Sequence, residues 1–221
     1  MTPALVLFDL DGTLVETAPE ICDAVNDTLH HLGLPEVPQE RVDRWIGHGT
    51  RELLVQALAH VRRQPQEVVR ADADLPLVFA EFDRHYQRRS GTRSRLYPHA
   101  RQALQALRAR GVPLALVTNK EQRHVDAVLR AHALAPLFDR VVCGDSLPTK
   151  KPDPAGVRSC LAQFGVDAAQ ALFIGDSSID VATARNAGVP VWALPHGYNM
   201  GQPIADSRPD RVIPDLGALL Q

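Results

Sequence analysis

The sequence has only three cysteines in 221 residues, and Cys22, Cys143 and Cys160 lie far apart with no CxxC pair among them. That spacing suggests neither a zinc site nor a disulfide framework, and the default reading is reduced, mostly buried thiols in a cytosolic protein. Long apolar runs are also missing. No stretch approaches the roughly 18 apolar residues needed to span a bilayer. The early run Ala4–Phe8 is only a strand long, so no signal peptide is expected and the protein should stay in the cytoplasm. Neither sign of charge dominates: 24 Lys and Arg face 26 Asp and Glu, for a net charge of -2. This balance leaves no electrostatic footprint for nucleic acid. The densest basic run, Arg84–Arg95, reads as a solvated helix end and connector. The chain contains no internal repeat, no low-complexity segment and no Walker-type phosphate loop.

What is present belongs to a globular protein. Hydrophobic residues make up 45% and charged residues 23%, enough for one large core and a smaller satellite. Four short apolar runs end in polar or glycine-containing residues: Ala4–Phe8, Val112–Val117, Ala171–Ile174 and Val189–Leu194, with a weaker fifth at Arg140–Cys143. Continuous hydrophobicity marks strands covered on both faces. Helical patterns separate them at Ala100–Arg110, Glu121–Ala131, Pro154–Phe164 and Ile179–Ala187. The alternation predicts an α/β fold, a doubly wound parallel sheet with right-handed crossovers and ligands at the carboxyl ends of its strands.

Between the first two runs the alternation stops. Thr17 and Glu20 have the spacing of a capping box, followed by Ile21, Val25, Leu29 and Leu32 at helical intervals, and Gly33 with Pro35 ends the pattern. Further helices are expected over Gln39–Ile46, Arg51–Val61 and Leu75–Arg89. Four helices exceed the needs of a crossover. A helical subdomain over residues 16–91 is therefore expected, inserted into a core of residues 1–15 and 92–221 through hinges near Val15–Glu16 and Gly91–Tyr97.

The strand ends carry the chemistry. Asp9 and Asp11 follow the first strand in Asp9-Leu10-Asp11-Gly12-Thr13, and two carboxylates that close repel unless a cation lies between them. Hard oxygen ligands suggest Mg²⁺ rather than zinc. Val117-Thr118-Asn119-Lys120 offers a hydroxyl and a helix N-terminus suited to phosphate. Lys151 stands in a proline-stiffened turn, and Gly175-Asp176-Ser177-Ser178-Ile179-Asp180 puts two more acids after another strand. Each has an ordinary reading alone, as a turn, a cap or a solvated lysine. Four on four strand ends of one sheet point to a single site.

In this order and spacing the motifs resemble the haloacid dehalogenase superfamily, over essentially the whole chain. The resemblance implies a Rossmann-like core with an inserted helical cap. Asp9 would be the nucleophile and Asp11 the general acid and base. Asp9, Asp176 and the main-chain carbonyl of Asp11 would hold Mg²⁺, with Asp180 orienting the metal shell. Thr118, the backbone of Asn119, and Lys151 would bind the phosphoryl oxygens. The resemblance also implies that dehalogenases lack an acid at position 11 and that P-type ATPases carry threonine there. Aspartate thus favours a phosphatase or phosphomutase. Trp45-Ile46-Gly47-His48-Gly49 and His196-Gly197-Tyr198-Asn199, with Gly201, Pro203 and Ile204, are similar to segments of phosphoglycolate phosphatases. In such a protein Gly49 and Arg51 would lie near the substrate, Arg51 as a bidentate partner for a carboxylate, with His48 more simply a turn residue. The expected partner is a small phosphorylated metabolite handled by a monomer or homodimer. A sugar phosphate substrate, a β-phosphoglucomutase-like isomerase and a non-catalytic binding protein stand as alternatives.

Overall fold

Strand β1 (Leu5–Phe8) is apolar at every position, and in the computed structural model, which describes residues 2–220, all four side chains are buried. Strands β4 (Leu114–Val117), β5 (Arg140–Val142), β6 (Ala171–Gly175), β7 (Val191–Ala193) and β8 (Arg211–Val212) join it in a parallel sheet of order β5-β4-β1-β6-β7-β8. Alternation sends Val6, Phe8, Leu114 and Leu116 to one face, where they pack with Leu104 and Leu107 of α6 (Ala100–Ala109) and Val125 and Val128 of α7 (Gln122–Ala131). Leu5, Leu7, Ala115 and Val117 take the opposite face, against Val157 and Leu161 of α8 (Ala155–Phe164) and Val181 and Ala184 of α9 (Ser178–Ala187). Two covered faces are why these strands read as unbroken apolar runs.

Strands β4 and β7 each begin two residues later than their apolar runs. Pro113 and Pro190 have no N–H to extend a ladder, and each offers only its carbonyl, to Val6 N at 3.2 Å and Phe173 N at 2.9 Å. Strand β8 carries no sequence signal, because both its residues are exposed at the sheet edge.

The segment after β1 leaves through β2 (Val15–Glu16) and returns through β3 (Arg95–Leu96), which pair antiparallel as Val15 with Leu96 and Glu16 with Arg95. Between them lie α1 (Ala18–His31), α2 (Gln39–Asp43), α3 (Thr50–Arg62), α4 (Gln66–Arg70) and α5 (Leu75–Arg89). Their apolar faces form a third cluster that includes Ile21, Val25, Leu54, Leu58, Phe82 and Tyr86, joined by Tyr198 from the far end of the chain. Helix α2 stops three residues short of the expected Ile46, and α4, only five residues long, had no periodicity to betray it.

The expected capping box of α1 does not form. The Thr17 hydroxyl donates instead to Asp11 Oδ1 at 2.6 Å. Glu20 Oε2 accepts from the backbone amides of Gly91, Arg93 and Ser94 at 2.9, 3.4 and 3.1 Å. A buried carboxylate gathers orphan amides of the returning chain more effectively than it could serve one helix end. Among the described residues no helix is long and apolar enough to cross a membrane.

Candidate active site

From β1 the chain builds outward to β4 and β5, then returns across to β6, so the sheet changes winding direction beside β1. Such a switch opens a crevice at the carboxyl ends of the adjoining strands. Phe8 is in register with Ile174 and with Leu116. The shared register brings Asp9, Thr118 and Asp176 to one rim.

Lys151 knits the rim together. Its Nζ donates to Asp9 Oδ1 at 2.6 Å and to Asp180 Oδ1 at 2.7 Å. The other oxygen of Asp180 accepts from the amides of Asp176 and Ser177 and from the Ser177 hydroxyl, at 3.1, 3.0 and 2.6 Å. Ser177 and Asp180 thus cap α9 reciprocally, which fixes the turn that presents Asp176. Asp176 is held on both oxygens, by the Thr13 hydroxyl at 2.5 Å and the Tyr198 amide at 2.6 Å. The backbone must come very close to allow this. A Cβ on Gly197 would lie 2.0 Å from Asp176 Oδ2, and one on Gly12, whose φ is +90°, would lie 2.3 Å from the same atom.

Carboxylate oxygens of Asp9, Asp176 and Asp180 lie within 4.8 Å of one another in a buried setting. Burial pushes the Asp9 carboxyl up to about 7, with Asp180 and Asp11 adding to the rise against the pull of Lys151. Asp176 is raised well above the usual carboxylate range by burial, then by Asp180 and Asp9. One lysine does not offset three clustered acids, and a hard divalent cation would. The donor set, all carboxylate and carbonyl oxygen with no imidazole or thiolate, fits Mg²⁺.

Asp11 sits apart from that cluster. Its Oδ1 receives Lys120 Nζ at 2.8 Å as well as the Thr17 hydroxyl. Asp9, Asp11, Thr118, Asn119, Lys151, Asp176 and Gly49 line one cavity, which the helical segment closes with Ile21, Ile46, Leu53, Phe82 and Tyr86. Asp180 lies beneath it, 1% exposed. The side-chain amide of Asn119 bonds Gly47 O and Lys151 O, both at 3.0 Å, tying the glycine turn to the lysine loop. His48 contributes its carbonyl to Lys150 Nζ at 2.8 Å.

Arg51 is not brought to this cavity. Thr50 and Leu53 line it, whereas Arg51 is turned toward a separate cavity with Phe79, Asp83, Glu121 and Arg123, its guanidinium 5.6 Å from the Phe79 ring centre. Consecutive helical residues point about 100° apart, so Thr50 and Leu53 share a face that excludes Arg51. No sequence pattern assigns a role to Thr13, Tyr86, Lys120, Ser177 or Tyr198, all of which meet at this site or support it. Lys120 adjoins the Thr118-Asn119 motif and could have been found from it. Tyr86 had no signal, embedded as it is in the basic run.

A family model described as haloacid dehalogenase-like hydrolase matches residues 6–194. A curated phosphoglycolate phosphatase of Haemophilus influenzae (strain 86-028NP) is 40% identical over 216 residues, 98% of this chain and 96% of its own. One from Pseudomonas savastanoi pv. phaseolicola is 41% identical over 219 residues, 99% of this chain and 79% of its own. A crystal structure described as a predicted phosphoglycolate phosphatase from Haemophilus somnus 129pt superposes with a TM-score of 0.93 at 36% identity, covering 100% of this chain and 97% of the other.

Proposed function

The chain belongs to the haloacid dehalogenase-like hydrolase family, and from that premise we propose that it hydrolyses 2-phosphoglycolate to glycolate and inorganic phosphate with Mg²⁺ as cofactor. One observation carries the reading: Asp9, buried at the end of β1, has one oxygen held by Lys151 at 2.6 Å, and Asp11 stands two residues on in the same cavity. The similarity to curated phosphoglycolate phosphatases supports the choice of substrate.

In this reading a carboxylate oxygen of Asp9 attacks phosphorus and the P–O ester bond breaks, leaving an acyl phosphate on Asp9. Asp11 hands its proton to the departing alkoxide, so glycolate leaves neutral at that oxygen. Water then attacks phosphorus, Asp11 takes back a proton, and the bond to Asp9 breaks to restore the carboxylate. Lys151, the Thr118 hydroxyl and the backbone N–H of Asn119 hold the phosphoryl oxygens. Asp9, Asp176 and the Asp11 carbonyl would hold Mg²⁺, which supplies charge compensation for the phosphoryl group. Asp180 steadies this set through Lys151 and the Asp176 amide.

We further take residues 16–91 as a cap that closes over the rim and excludes bulk water. Its own apolar cluster, the short ribbon of β2 and β3 at its base, and the Thr50 hydroxyl bonded to Glu121 Oε2 at 2.8 Å across to the sheet domain support this.

The test is a panel of phosphorylated metabolites compared by kcat/KM with Mg²⁺ present. Phosphoglycolate should lead sugar phosphates and p-nitrophenyl phosphate. A sugar phosphate in first place would overturn the substrate reading. Phosphate kept stably on Asp9, with a requirement for a bisphosphate, would make the protein a mutase.

A further inference from the structure

With Arg51 turned away, the cavity has two cations among its lining residues, Lys151 and Lys120. Lys151 is committed to Asp9 and Asp180. Lys120 is different. Its side chain is 5% exposed, and a single carboxylate oxygen, Asp11 Oδ1, meets its ammonium at 2.8 Å. An ammonium has three donors, so Asp11 and the neighbouring Tyr86 oxygen still leave one to spare. The Tyr86 ring centre lies 4.8 Å from the ammonium, and the buried Tyr86 hydroxyl has only that ammonium beside it, a donor itself, so its own O–H has no acceptor. A buried O–H without an acceptor is costly unless something else fills the place. The same cavity has an apolar wall made by Ile21, Ile46, Leu53 and Phe82. The turn bearing Lys120 is itself fixed, its carbonyl accepting from Gly144 N at 2.8 Å and its amide reaching Thr118 Oγ1 at 3.3 Å.

We propose that Lys120 and the Tyr86 hydroxyl together receive the carboxylate of the substrate and so set its specificity. The assignment rests on the phosphoglycolate reading and deepens it. The geometry follows from Asp11. If Asp11 protonates the ester oxygen, that oxygen lies about 2.8 Å from the Asp11 carboxyl. In phosphoglycolate the carboxylate oxygens are roughly 3 Å farther along, two covalent bonds and a carbonyl away. The group that holds them, one further hydrogen bond away, must therefore stand within about 9 Å of Asp11. Lys120 Nζ does, already in contact with Asp11 Oδ1. The two oxygens of the carboxylate would find an ammonium donor and a hydroxyl donor, and the apolar wall would strengthen both bonds by excluding water.

The test uses 2-phosphoglycolate and ethyl phosphate, which has a methyl group where the carboxylate stands, with Mg²⁺ present. The readout is the ratio of their kcat/KM values. In the wild-type protein a ratio far above one supports the substrate reading, and a ratio near one overturns that reading together with this inference. Given the first result, Lys120→Met and Lys120→Gln should each lower the ratio by about 10- to 100-fold, the worth of a charge-assisted hydrogen bond. The loss should fall on KM for phosphoglycolate, because the bond is made in the ground state and the transition state alike. Tyr86→Phe should lower the ratio by about three- to ten-fold. Equal loss on both substrates would mean that Lys120 only supports Asp11, which overturns the assignment and leaves the substrate reading intact. A ratio that falls in Arg51→Met but not in the Lys120 variants overturns it as well. Should neither Lys120 variant fold, Tyr86→Phe decides the matter, and an unchanged ratio there counts against the proposal.

Discussion

The Tyr198 amide donates to Asp176 Oδ2 at 2.6 Å, while its phenolic oxygen accepts from the amide of Ala18 at 3.0 Å, at the start of the first helix of the inserted segment. One residue near the C-terminus thus positions an acid of the rim and touches the helical segment that closes the cavity. Gly197 makes this possible, since any side chain there would collide with Asp176. Gly197→Ala should push Asp176 aside and raise the Mg²⁺ concentration for half-maximal activity by about ten-fold or more, the scale of lost outer-shell support. An unchanged Mg²⁺ dependence would show that Asp176 tolerates the shift.

Asp9→Asn should remove turnover with the fold retained, because the amide is nearly the same shape and a poor nucleophile. The expected fall in kcat is on the order of 10³-fold or more. Near wild-type activity in folded Asp9→Asn protein would refute the covalent route.

Metal and pH should be linked. Asp9 stands near 7 in the folded protein against an ordinary 3.8. Between about pH 4 and 7 the folded, metal-free protein therefore keeps a proton on Asp9 that the unfolded chain releases. This contribution to stability is present at low pH and is lost as pH rises through that window. Mg²⁺ requires the carboxylates to be charged, so its binding competes with that proton. Thermal unfolding after chelation should show a larger gain from added Mg²⁺ at pH 7.5 than at pH 5. Equal gains at both values would separate Asp9 from the metal site.

Glu20 offers a test of how the helical segment is tied to the returning chain. Glu20→Ala strands the amides of Gly91, Arg93 and Ser94, which its carboxylate now satisfies. A cost of about 2 kcal/mol is expected, chiefly from the buried Ser94 amide and the half-buried Gly91 amide left without partners. Denaturant unfolding would measure it, and a loss under 0.5 kcal/mol, the ordinary range for surface substitutions, would mean that water replaces the carboxylate.

Much of this was legible in the chain itself. Four apolar runs, long because helices cover both faces of the sheet, reveal its central strands, a weaker fifth marks the edge strand β5, and the polar residues after them mark the rim. Asp9, Asp11, Thr118, Lys151 and Asp176 could be singled out because each follows a buried strand or a stiff turn, a local property. Tertiary structure alone decided the rest. Thr17 and Glu20 have capping-box spacing, yet their partners are Asp11 and the backbone at Gly91–Ser94, some seventy residues on in the latter case. Thr13 reaches Asp176 across 163 residues of sequence. Arg51 and Thr50 are neighbours in the chain, and the packing of α3 sends one to the cavity and the other away from it. Lys120 and Tyr86 meet only because α5 packs against α7, whose preceding turn carries Lys120. Local pattern sets which side chains a strand or helix buries, since burial follows periodicity. Which distant group a polar side chain meets depends on how the elements cross, and no local pattern contains that.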